Sequence, residues 1–589
     1  MRVSVLLAVI LLAGAWLRMA GTDWDRSFHL HPDERYLSIV ANDIAFPDSL
    51  GGYLDVGRSP LSPYNVQSGR SYLYGTLPLF TTKLVARALG EDRYDRLYLV
   101  GRRMSALLDL VTVGLVFLLG RRLVAPAPPR AAAYGGLVAA ALYALTVLAI
   151  QHAHFFTVDS WLTAFATLTL LLATGLTEVR SRPRLAVLLA AVGVALGLTL
   201  ACKVNGALVA VAVFGALVWR LPRPRTRRDF GAAAAELAKS GAIVLLAAYL
   251  SFRAVSPYAF ASSSWLDLTI QPDLSAALRQ QRDALAGNAL SPPAYQWFLS
   301  APVISPLENL ALWALAPALA AAVLAGFATG VADGARALWH RARAGRSATH
   351  TTIAATLTVA YVAVAFAYSA SRFGHPLRYL LPLIPALCSL AGVALVRLCG
   401  RRRRIGCAVT AAVIAVTGLW ALAFVAVYRH PNTRVAASEW IDAHVPGGAT
   451  IAGEHWDDAL PLPVGRATYT GVQLPVFDAD DAEKPDKLYA GLSGARYYVL
   501  SSPRAWRTVG RLPGRFPMMT RFYRALFAGD LGFREVARFT SPPRLLGIAI
   551  SDASAEEAFS VYDHPEVRVF ERTASLTRAE FRDILLGRA

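Results

Sequence analysis

The sequence predicts a polytopic α-helical membrane protein that ends in an extracytoplasmic α/β domain. The chain of 589 residues is 55% hydrophobic and only 17% charged, which is too apolar for a set of soluble domains. Apolar runs of about 18–22 residues, the length that crosses a bilayer, recur through residues 1–428. After residue 428 short amphipathic segments replace these runs. The sequence therefore predicts a transmembrane domain at 1–428 and a soluble domain at 429–589.

The apolar runs predict about eleven transmembrane helices. The first run is also compatible with a cleaved signal peptide, although no A-x-A site precedes Gly21. In either case the chain that follows it is expected outside the cytoplasm. The predicted spans are 3–20, 104–120, 133–150, 157–176, 184–201, 205–219, 240–256, 309–330, 351–369, 377–396 and 405–427.

The distribution of charge predicts the orientation of these spans. Every second loop is rich in arginine, and together these loops account for most of the formal net charge of +19. The acidic residues in them are only Glu178, Asp229, Glu236 and Asp333. By the positive-inside rule these loops and the N-terminus are cytoplasmic. The basic balance is therefore a topology signal and leaves no basic patch for a nucleic-acid partner. The basic residues of these loops are Arg121, Arg122, Arg130, Arg180, Arg182, Arg184, Arg220, Arg223, Arg225, Arg227, Arg228, Lys239, Arg336, Arg341, Arg343, Arg346, Arg397 and Arg401 to Arg404.

Two of the loops on the opposite, extracytoplasmic side are long. Loop 21–100 is polar and aromatic, and amphipathic helices are expected in it at 33–45 and 76–90. Loop 257–307 is rich in Ser, Pro, Tyr and Trp and is expected to form an aromatic lid at the membrane interface. Loops of this length are usually functional rather than simple connectors.

The C-terminal domain reads as mixed α/β. Helices are expected at 433–444 and 518–528, and the patch His455-Trp456-Asp457-Asp458 reads as a structural feature or a lip of a substrate entrance. Cys202, Cys388, Cys399 and Cys407 lie in or beside apolar runs, so no disulfide framework is predicted. The candidate strands are 449–453, 495–501, 534–540 and 566–571.

Under this topology, charged and polar residues far apart in sequence converge on the extracytoplasmic face. Arginine and lysine there suit a phosphate, and a carboxylate beside them suits a general base that deprotonates a hydroxyl. The pattern predicts group transfer from a lipid phosphate to an acceptor alcohol. The candidates are Asp33, Glu34 and Asp159 as catalytic carboxylates; Lys203, Arg378, Tyr379, Arg102 and Arg103 for the donor phosphate; and His31, His152, His154, Asn205, Arg372 and His375 for substrate binding.

Each candidate also has a structural interpretation. Asp33, Glu34 and Asp159 could cap helices, and Lys203 could reach from its helix to the membrane surface. Arg102 with Arg103, and Arg378 with Tyr379, could anchor the chain at the interface. The H-x-H pairs at 29–31 and 152–154, together with Asp33, could bind a divalent metal, but that spacing is weak evidence and metal is not favoured.

These residues resemble the GT-C glycosyltransferases, and within them the protein O-mannosyltransferase and lipid A aminoarabinose transferase group (glycosyltransferase family 39-like). The resemblance lies in Asp33-Glu34 after the first span, Asp159 as a second acidic site, and the stretch from Arg378-Tyr379 to Pro382 that opens a late span. Two late segments, Arg429-His430-Pro431-Asn432-Thr433 and Tyr562-Asp563-His564-Pro565, are also similar to bacterial members that carry a His-Pro-Asp-Glu loop. The chain departs from the mannosyltransferases in ending with an α/β domain rather than a β-trefoil module.

The resemblance implies an inverting, metal-independent transfer of a sugar from a polyprenyl-phosphate donor to an acceptor hydroxyl, with no required cofactor. Asp33 would be the base, Asp159 would orient acceptor or donor, and Lys203 and Arg378 would contact the donor phosphate. The acceptor would be a lipid, a glycan or a protein. The protein would be a hexosyl- or pentosyltransferase of the cell envelope in the bacterial cytoplasmic membrane, surrounded by membrane lipids.

Three other functions remain open from the sequence. A transporter or flippase of lipid-linked saccharides would show inverted repeats and charges near mid-membrane, whereas the charged residues here cluster at one face. A transferase of the same fold could move a different group from a lipid phosphate. A scaffold could use the C-terminal domain to bind cell-wall material.

Overall fold

A bundle of helices, with a small mixed sheet domain packed at one end, forms the computed structural model of the protein. The structure describes residues 3–124, 128–222, 226–343 and 348–588. The helices of the bundle are α1 (Val3–Met19), α2 (Pro32–Asp43), α3 (Leu50–Leu54), α4 (Thr76–Leu89), α5 (Tyr94–Val124), α6 (Pro129–Ala144), α7 (Val147–Ala153), α8 (Asp159–Gly175), α9 (Arg182–Leu200), α10 (Ala210–Arg220), α11 (Arg227–Val255), α12 (Pro272–Ala286), α13 (Ile304–Asn309), α14 (Pro317–Arg343), α15 (His350–Ala370), α16 (Ile384–Arg401) and α17 (Arg403–Arg429).

The bundle contains membrane-spanning helices, so the chain is an integral membrane protein. Among the described residues six helices are long and apolar enough to cross a bilayer, and a seventh span arises if α6 and α7 count as one broken helix. Every predicted span coincides largely with helix, and the amphipathic helices expected at 33–45 and 76–90 are α2 and α4. The total of eleven stays a prediction. The six are Arg182–Leu200, Arg227–Val255, Pro317–Arg341, His350–Ala370, Leu377–Arg401 and Arg403–His444.

The predicted span 133–150 is not one straight helix. It bends by 60° between α6 and α7, at Thr146, whose backbone is extended. The Thr146 hydroxyl donates a hydrogen bond to the Leu142 carbonyl at 2.9 Å, which is the back-bonding that bends helices. As a result, α7 carries its last residues toward the end of the bundle where the sheet domain sits.

Small residues let the helices of the bundle approach closely. Gly136 on α6 is an example, because a Cβ atom there would lie 2.5 Å from the Phe117 carbonyl oxygen on α5. Membrane helices without a hydrophobic force between them associate through such close packing. This contact packs α5 and α6 closely against each other.

The C-terminal domain is built on a five-stranded sheet of order β2-β1-β3-β7-β4. β1 pairs in parallel with β2 and β3, and β7 runs antiparallel to β3 and β4. The strands are β1 (Thr450–Glu454), β2 (Thr470–Leu474), β3 (Tyr497–Leu500), β4 (Phe533–Phe539), β5 (Arg544–Leu545), β6 (Ile548–Ala549) and β7 (Val567–Arg572). The helices are α18 (Thr433–His444), α19 (Lys484–Ser493), α20 (Arg504–Arg507), α21 (Pro517–Ala528), α22 (Glu557–Ser560) and α23 (Arg578–Leu586).

The structure confirms the mixed α/β character that the sequence predicts. The four candidate strands are β1, β3, β4 and β7, and the two candidate helices are α18 and α21. The other elements of this domain, among them β2, α19 and α23, are not predicted from the sequence. The domain also does not stand apart, because Phe559 of α22 packs against Phe424 of α17 inside the core of the helical bundle.

Candidate active site

Asp33 lies in the first turn of α2, and its carboxylate forms an ion pair with the guanidinium of Arg378. Pro32 starts this helix, and the Nδ1 atom of His31 accepts a hydrogen bond from the Glu34 amide at 3.4 Å. Arg378 comes from the 3-10 segment Leu377–Leu383, which leads into α16. Both side chains keep about a quarter of their surface exposed, 24% for Asp33 and 22% for Arg378. The pair is therefore accessible to a substrate.

Burial by itself raises the pKa of the Asp33 carboxyl. The charge of Arg378, with a smaller contribution from Lys203, outweighs that effect and holds the pKa of Asp33 below its usual range. Asp33 is therefore ionised at neutral pH. His31 lies between the rings of Phe155 and Tyr562, with centroids 4.5 and 4.4 Å away, and burial lowers its pKa to about 3. His31 is accordingly a neutral neighbour of the carboxylate.

A second ion pair joins Asp159, the first residue of α8, to Lys203. The Lys203 Nζ atom lies 3.1 Å from an Asp159 carboxylate oxygen, and both side chains are buried. The same Nζ atom lies 4.5 Å from the ring centroid of Tyr379, the residue next to Arg378. The backbone of Gly75 lies so close to Ala201 that a Cβ atom would be 1.9 Å from its carbonyl oxygen, which fixes the first loop beside Lys203.

A cavity of about 120 Å³ opens on Lys203. Its polar wall includes Asn205, Arg372 and Tyr379, and its apolar wall includes Leu73, Leu278 and Leu285. The Gln281 side chain of α12 donates a hydrogen bond to the Tyr379 hydroxyl at 3.1 Å, so the 257–307 loop forms part of this site. Cationic and amide groups beside leucine side chains suit a phosphate with a hydrocarbon tail.

Glu34, the second predicted catalytic carboxylate, faces Arg102 rather than Arg378. It is fully buried, and its two oxygens accept hydrogen bonds from Arg102 at 2.6 and 2.8 Å. The Phe156 amide also donates to it at 2.8 Å. Arg102 pairs in addition with Asp25 at 2.9 Å. The guanidinium of Arg102 and the carboxylate of Glu34 hold the first loop against α5, and the roles predicted for them in catalysis and phosphate binding stay predictions. Burial raises the pKa of Glu34.

The remaining candidates divide between the site and the scaffold. His154 is scaffold, since it stacks on Tyr428 with centroids 3.7 Å apart and both ring nitrogens contact backbone carbonyls. Arg103 is exposed on α5. His152 lines a small cavity together with His31 and Arg378. His375 lies 3.0 Å from the Ser300 hydroxyl and packs on Trp297, so it ties the 257–307 loop to the start of α16.

The C-terminal domain reaches the segment that follows Asp33 through the 455–458 patch, which the sequence suggested as a structural feature or a lip of a substrate entrance. Arg35, two residues after Asp33, forms an ion pair with Asp458 at 2.5 Å. Asp457 pairs with Arg434 at 2.8 Å, and Arg504 pairs with Glu557 at 2.7 Å. The patch at 455–458 was the only sequence signal for a wall of the site in this domain. No sequence pattern marked the acidic residues 556–557 as part of this wall.

Within the described residues no group of three or more His, Cys, Asp or Glu side chains is arranged to hold a metal ion. The H-x-H residues are separated by packing, since His29 stacks on Tyr94 with centroids 4.1 Å apart, whereas His31 faces Tyr562.

Residues 98–252 match the family model described as dolichyl-phosphate-mannose-protein mannosyltransferase. The crystal structure of the Archaeoglobus fulgidus oligosaccharyltransferase tethered with an acceptor peptide is similar at a TM-score of 0.52 and 13% identity, covering 97% of this chain and 88% of that one. The chain has the fold of the GT-C membrane glycosyltransferases. The structure of A. fulgidus AglB in complex with an inhibitory peptide and a dolichol-phosphate is similar at a TM-score of 0.50 and 12% identity, covering 97% of this chain and 88% of that one.

ArnT from Cupriavidus metallidurans bound to undecaprenyl phosphate is similar at a TM-score of 0.39 and 19% identity, over 74% of this chain and 72% of that one. No curated protein matches the sequence significantly. The predicted GT-C fold is confirmed, and the match to a mannosyltransferase model supports the prediction of a glycosyltransferase with a lipid-linked sugar donor.

The two late segments that resemble GT-C members contact each other. The Asn432 side chain donates to the Asp563 carbonyl at 2.8 Å, and the Tyr428 hydroxyl donates to the Asp563 carboxylate at 2.8 Å. His564 lies between Asp563 and Asp552, at 2.5 and 2.6 Å. These two carboxylates overcome the effect of burial and raise the pKa of His564 to about 10. This cluster fixes the segment that carries Tyr562 beside His31.

Proposed function

We propose that the protein transfers a sugar from a polyprenyl-phosphate donor to an acceptor hydroxyl at the extracytoplasmic face of the membrane. The observation that carries the proposal is the pairing of Asp33 with Arg378 beside the Asp159–Lys203 pair. This arrangement brings two carboxylates and two cations together, and of the two pairs the one formed by Asp33 and Arg378 is the more accessible. A phosphate leaving group requires cations, and an attacking hydroxyl requires a base.

The reaction is a single displacement. Asp33 accepts the proton of the acceptor hydroxyl, whose oxygen bonds to the anomeric carbon while the bond from that carbon to the phosphate oxygen breaks. The electron pair of the broken bond stays on the phosphate, and the anomeric centre inverts. Arg378 and Lys203 stabilise the charge that develops there.

The ion pair of Asp33 with Arg378 has to loosen before the chemical step. A carboxylate whose pKa lies below its usual range is a weak base. A bound donor phosphate offers Arg378 a second anion, and sharing the guanidinium makes Asp33 more basic. Donor binding thereby makes Asp33 a stronger base.

The cavity beside Lys203 is the proposed donor site. Lys203, Asn205 and Arg372 would hold the phosphate, and Leu73, Leu278 and Leu285 would contact the first isoprene units. The Asn205 amide oxygen is buried without a hydrogen-bond partner among the described residues, so it is available to a sugar hydroxyl. The AglB structure with a dolichol-phosphate supports this type of donor by its shared fold.

Contacts among the arginine-rich loops support the proposed orientation. At the end of the bundle away from Asp33, Arg122 pairs with Glu178 at 3.2 Å and Arg397 pairs with Asp333 at 2.5 Å. The loops that the positive-inside rule assigns to the cytoplasm therefore contact one another. The N-terminus would be cytoplasmic, and the site and C-terminal domain would face outward from a bacterial cytoplasmic membrane.

The test is release of free polyprenyl phosphate by purified protein that is offered polyprenyl-phosphate sugars and an envelope extract as acceptor. Asp33→Asn removes the base and keeps the shape of the side chain, so release is expected to fall by about 10²-fold or more. Asp43→Asn, at the exposed end of the same helix, is the matched control and is expected to keep wild-type release. Near wild-type release by Asp33→Asn would remove Asp33 from the mechanism.

A further inference from the structure

A second cavity, of about 340 Å³, lies between the helical bundle and the C-terminal domain. The bundle contributes Trp297, Asn309 and His375, and the C-terminal domain contributes Arg511 and Glu556. The volume is within the range of pockets that bind small ligands. The proposed donor cavity on Lys203 shares none of these lining residues, so the two cavities have distinct walls.

Glu556 connects this cavity to the reacting pair. One of its carboxyl oxygens accepts a hydrogen bond from the Leu377 amide at 2.6 Å, one residue before Arg378. Its own amide donates to the Asn309 side chain at 2.7 Å. Glu556 also lines the small cavity that contains His31, His152 and Arg378. Glu556 therefore forms part of the wall of both cavities, and Arg378 lines the smaller one.

The lining of the cavity matches a sugar better than a lipid or a polyanion. An indole face at Trp297 suits the apolar face of a pyranose ring. The hydroxyl groups of Ser554 and Ser560 in the same wall suit its hydroxyls. Cations and carboxylates are mixed along the wall, which gives no preference for one sign of charge.

Two carboxyl oxygens in this wall lack partners. One oxygen each of Glu556 and Glu557 is buried without a hydrogen bond among the described residues. Buried polar atoms are normally satisfied, and an exception in a cavity wall calls for a partner that the chain does not provide. The hydroxyl groups of a ligand are donors that could fill this role.

We propose that this cavity is the acceptor subsite and that the acceptor is a glycan. The inference rests on the proposed function and adds the class of its second substrate. The terminal sugar of the glycan would occupy the space between Trp297 and Arg511, with the reacting hydroxyl directed past Glu556 to Asp33. The C-terminal domain is then part of the active site.

Two variants test the location of the subsite. Ser554→Trp puts a bulky ring on the exposed rim of the cavity, and Arg511→Ala removes an exposed cation from its wall. Each is compared with wild type for release of polyprenyl phosphate with and without the envelope extract of the cells that naturally carry the protein. Extract-dependent release by Ser554→Trp is expected to fall about tenfold or more relative to donor hydrolysis by water, and Arg511→Ala is expected to raise the extract concentration needed for half-maximal release.

Ser493→Trp is the matched control, because Ser493 is exposed at the end of α19 and is absent from the cavity wall. Extract-dependent release by Ser554→Trp equal to that of Ser493→Trp would overturn the subsite. No release by wild-type protein, with any donor and with or without extract, would instead contradict the proposed function itself.

The class of acceptor is tested on the extract. Periodate cleaves vicinal diols and is expected to abolish the extract-dependent release, whereas proteinase treatment of a parallel sample is expected to leave it intact. Loss after proteinase with survival after periodate would overturn the glycan assignment in favour of a peptide.

Discussion

Two adjacent carboxylates on α2 have opposite environments. Asp33 is about a quarter exposed and faces one guanidinium, whereas Glu34 is fully buried against Arg102. Successive residues on a helix point about 100° apart, so Asp33 can face Arg378 while Glu34 faces Arg102. Exposed ion pairs contribute little to stability, but breaking a buried pair leaves a charge without its partner.

Glu34→Gln is therefore expected to cost stability, on the order of 3 kcal/mol, because Arg102 keeps only Asp25 as a charged partner. The measurement is the Tm of the purified protein in detergent, together with the turnover of the folded fraction. Asp33→Asn is the comparison and is expected to show the reverse, an almost unchanged Tm with lost turnover. A Glu34→Gln protein with wild-type Tm and no turnover would make Glu34 a reacting group.

At this scale the sequence could identify Asp33, Asp159, Lys203 and Arg378 as candidates, because charges at a membrane boundary are costly unless they are paired or in use. It could not tell that Arg102 is paired with Glu34 rather than free for phosphate. That depends on which side of α5 faces the first loop. Glu556 could not be identified from the sequence, because its position next to Leu377 arises from tertiary packing over a long sequence separation.

At the scale of elements, the apolar periodicity of the sequence located the helices well because span length is set by the bilayer. The bend between α6 and α7 was missed, since it depends on one hydroxyl at Thr146 within an otherwise continuous apolar run. Strand β2 was missed as well. It is a largely exposed strand that pairs only with β1, so it lacks the alternation by which strands are recognised.

Strand β1 carries a buried carboxyl whose titration can be followed. Glu454 accepts hydrogen bonds from the hydroxyls of Tyr498 and Tyr523 at 2.8 and 2.5 Å, and burial raises its pKa from 4.5 to about 7. Because the folded pKa is the higher one, the contribution of Glu454 to stability is full below about pH 4.5 and is lost as pH rises through 7.

Glu454→Gln cannot ionise, so its stability relative to wild type is expected to improve between pH 5 and pH 8, by on the order of 2–3 kcal/mol. The measurement is the Tm of both proteins at the two pH values. Glu483→Gln, at an exposed glutamate in the same domain, is the control and is expected to track wild type. A constant difference between Glu454→Gln and wild type across this range would show that Glu454 does not titrate there.

At the scale of the whole molecule, the sequence separated the chain into a membrane domain and a soluble domain, whereas the structure interlocks them. The Gln151 side chain on α7 donates to the Phe559 carbonyl and to the Asp563 carboxylate, at 2.8 and 3.0 Å. Composition changes after residue 428, but composition does not report that a later segment returns into the bundle. The fold class was thus predictable from the sequence, and the reacting residues stay predictions. Most of the wall that the C-terminal domain contributes was not expected, because it depends on tertiary packing.

The most direct measurement of the central claim is the fate of the donor in a reaction of wild-type protein with the envelope extract. Polyprenyl-phosphate sugars of known anomeric configuration are supplied, and free polyprenyl phosphate and the transferred sugar are quantified, with the new linkage assigned by NMR. The account predicts equal amounts of both and an inverted anomeric centre. Retention of configuration, or movement of intact donor across the membrane without cleavage, would contradict it.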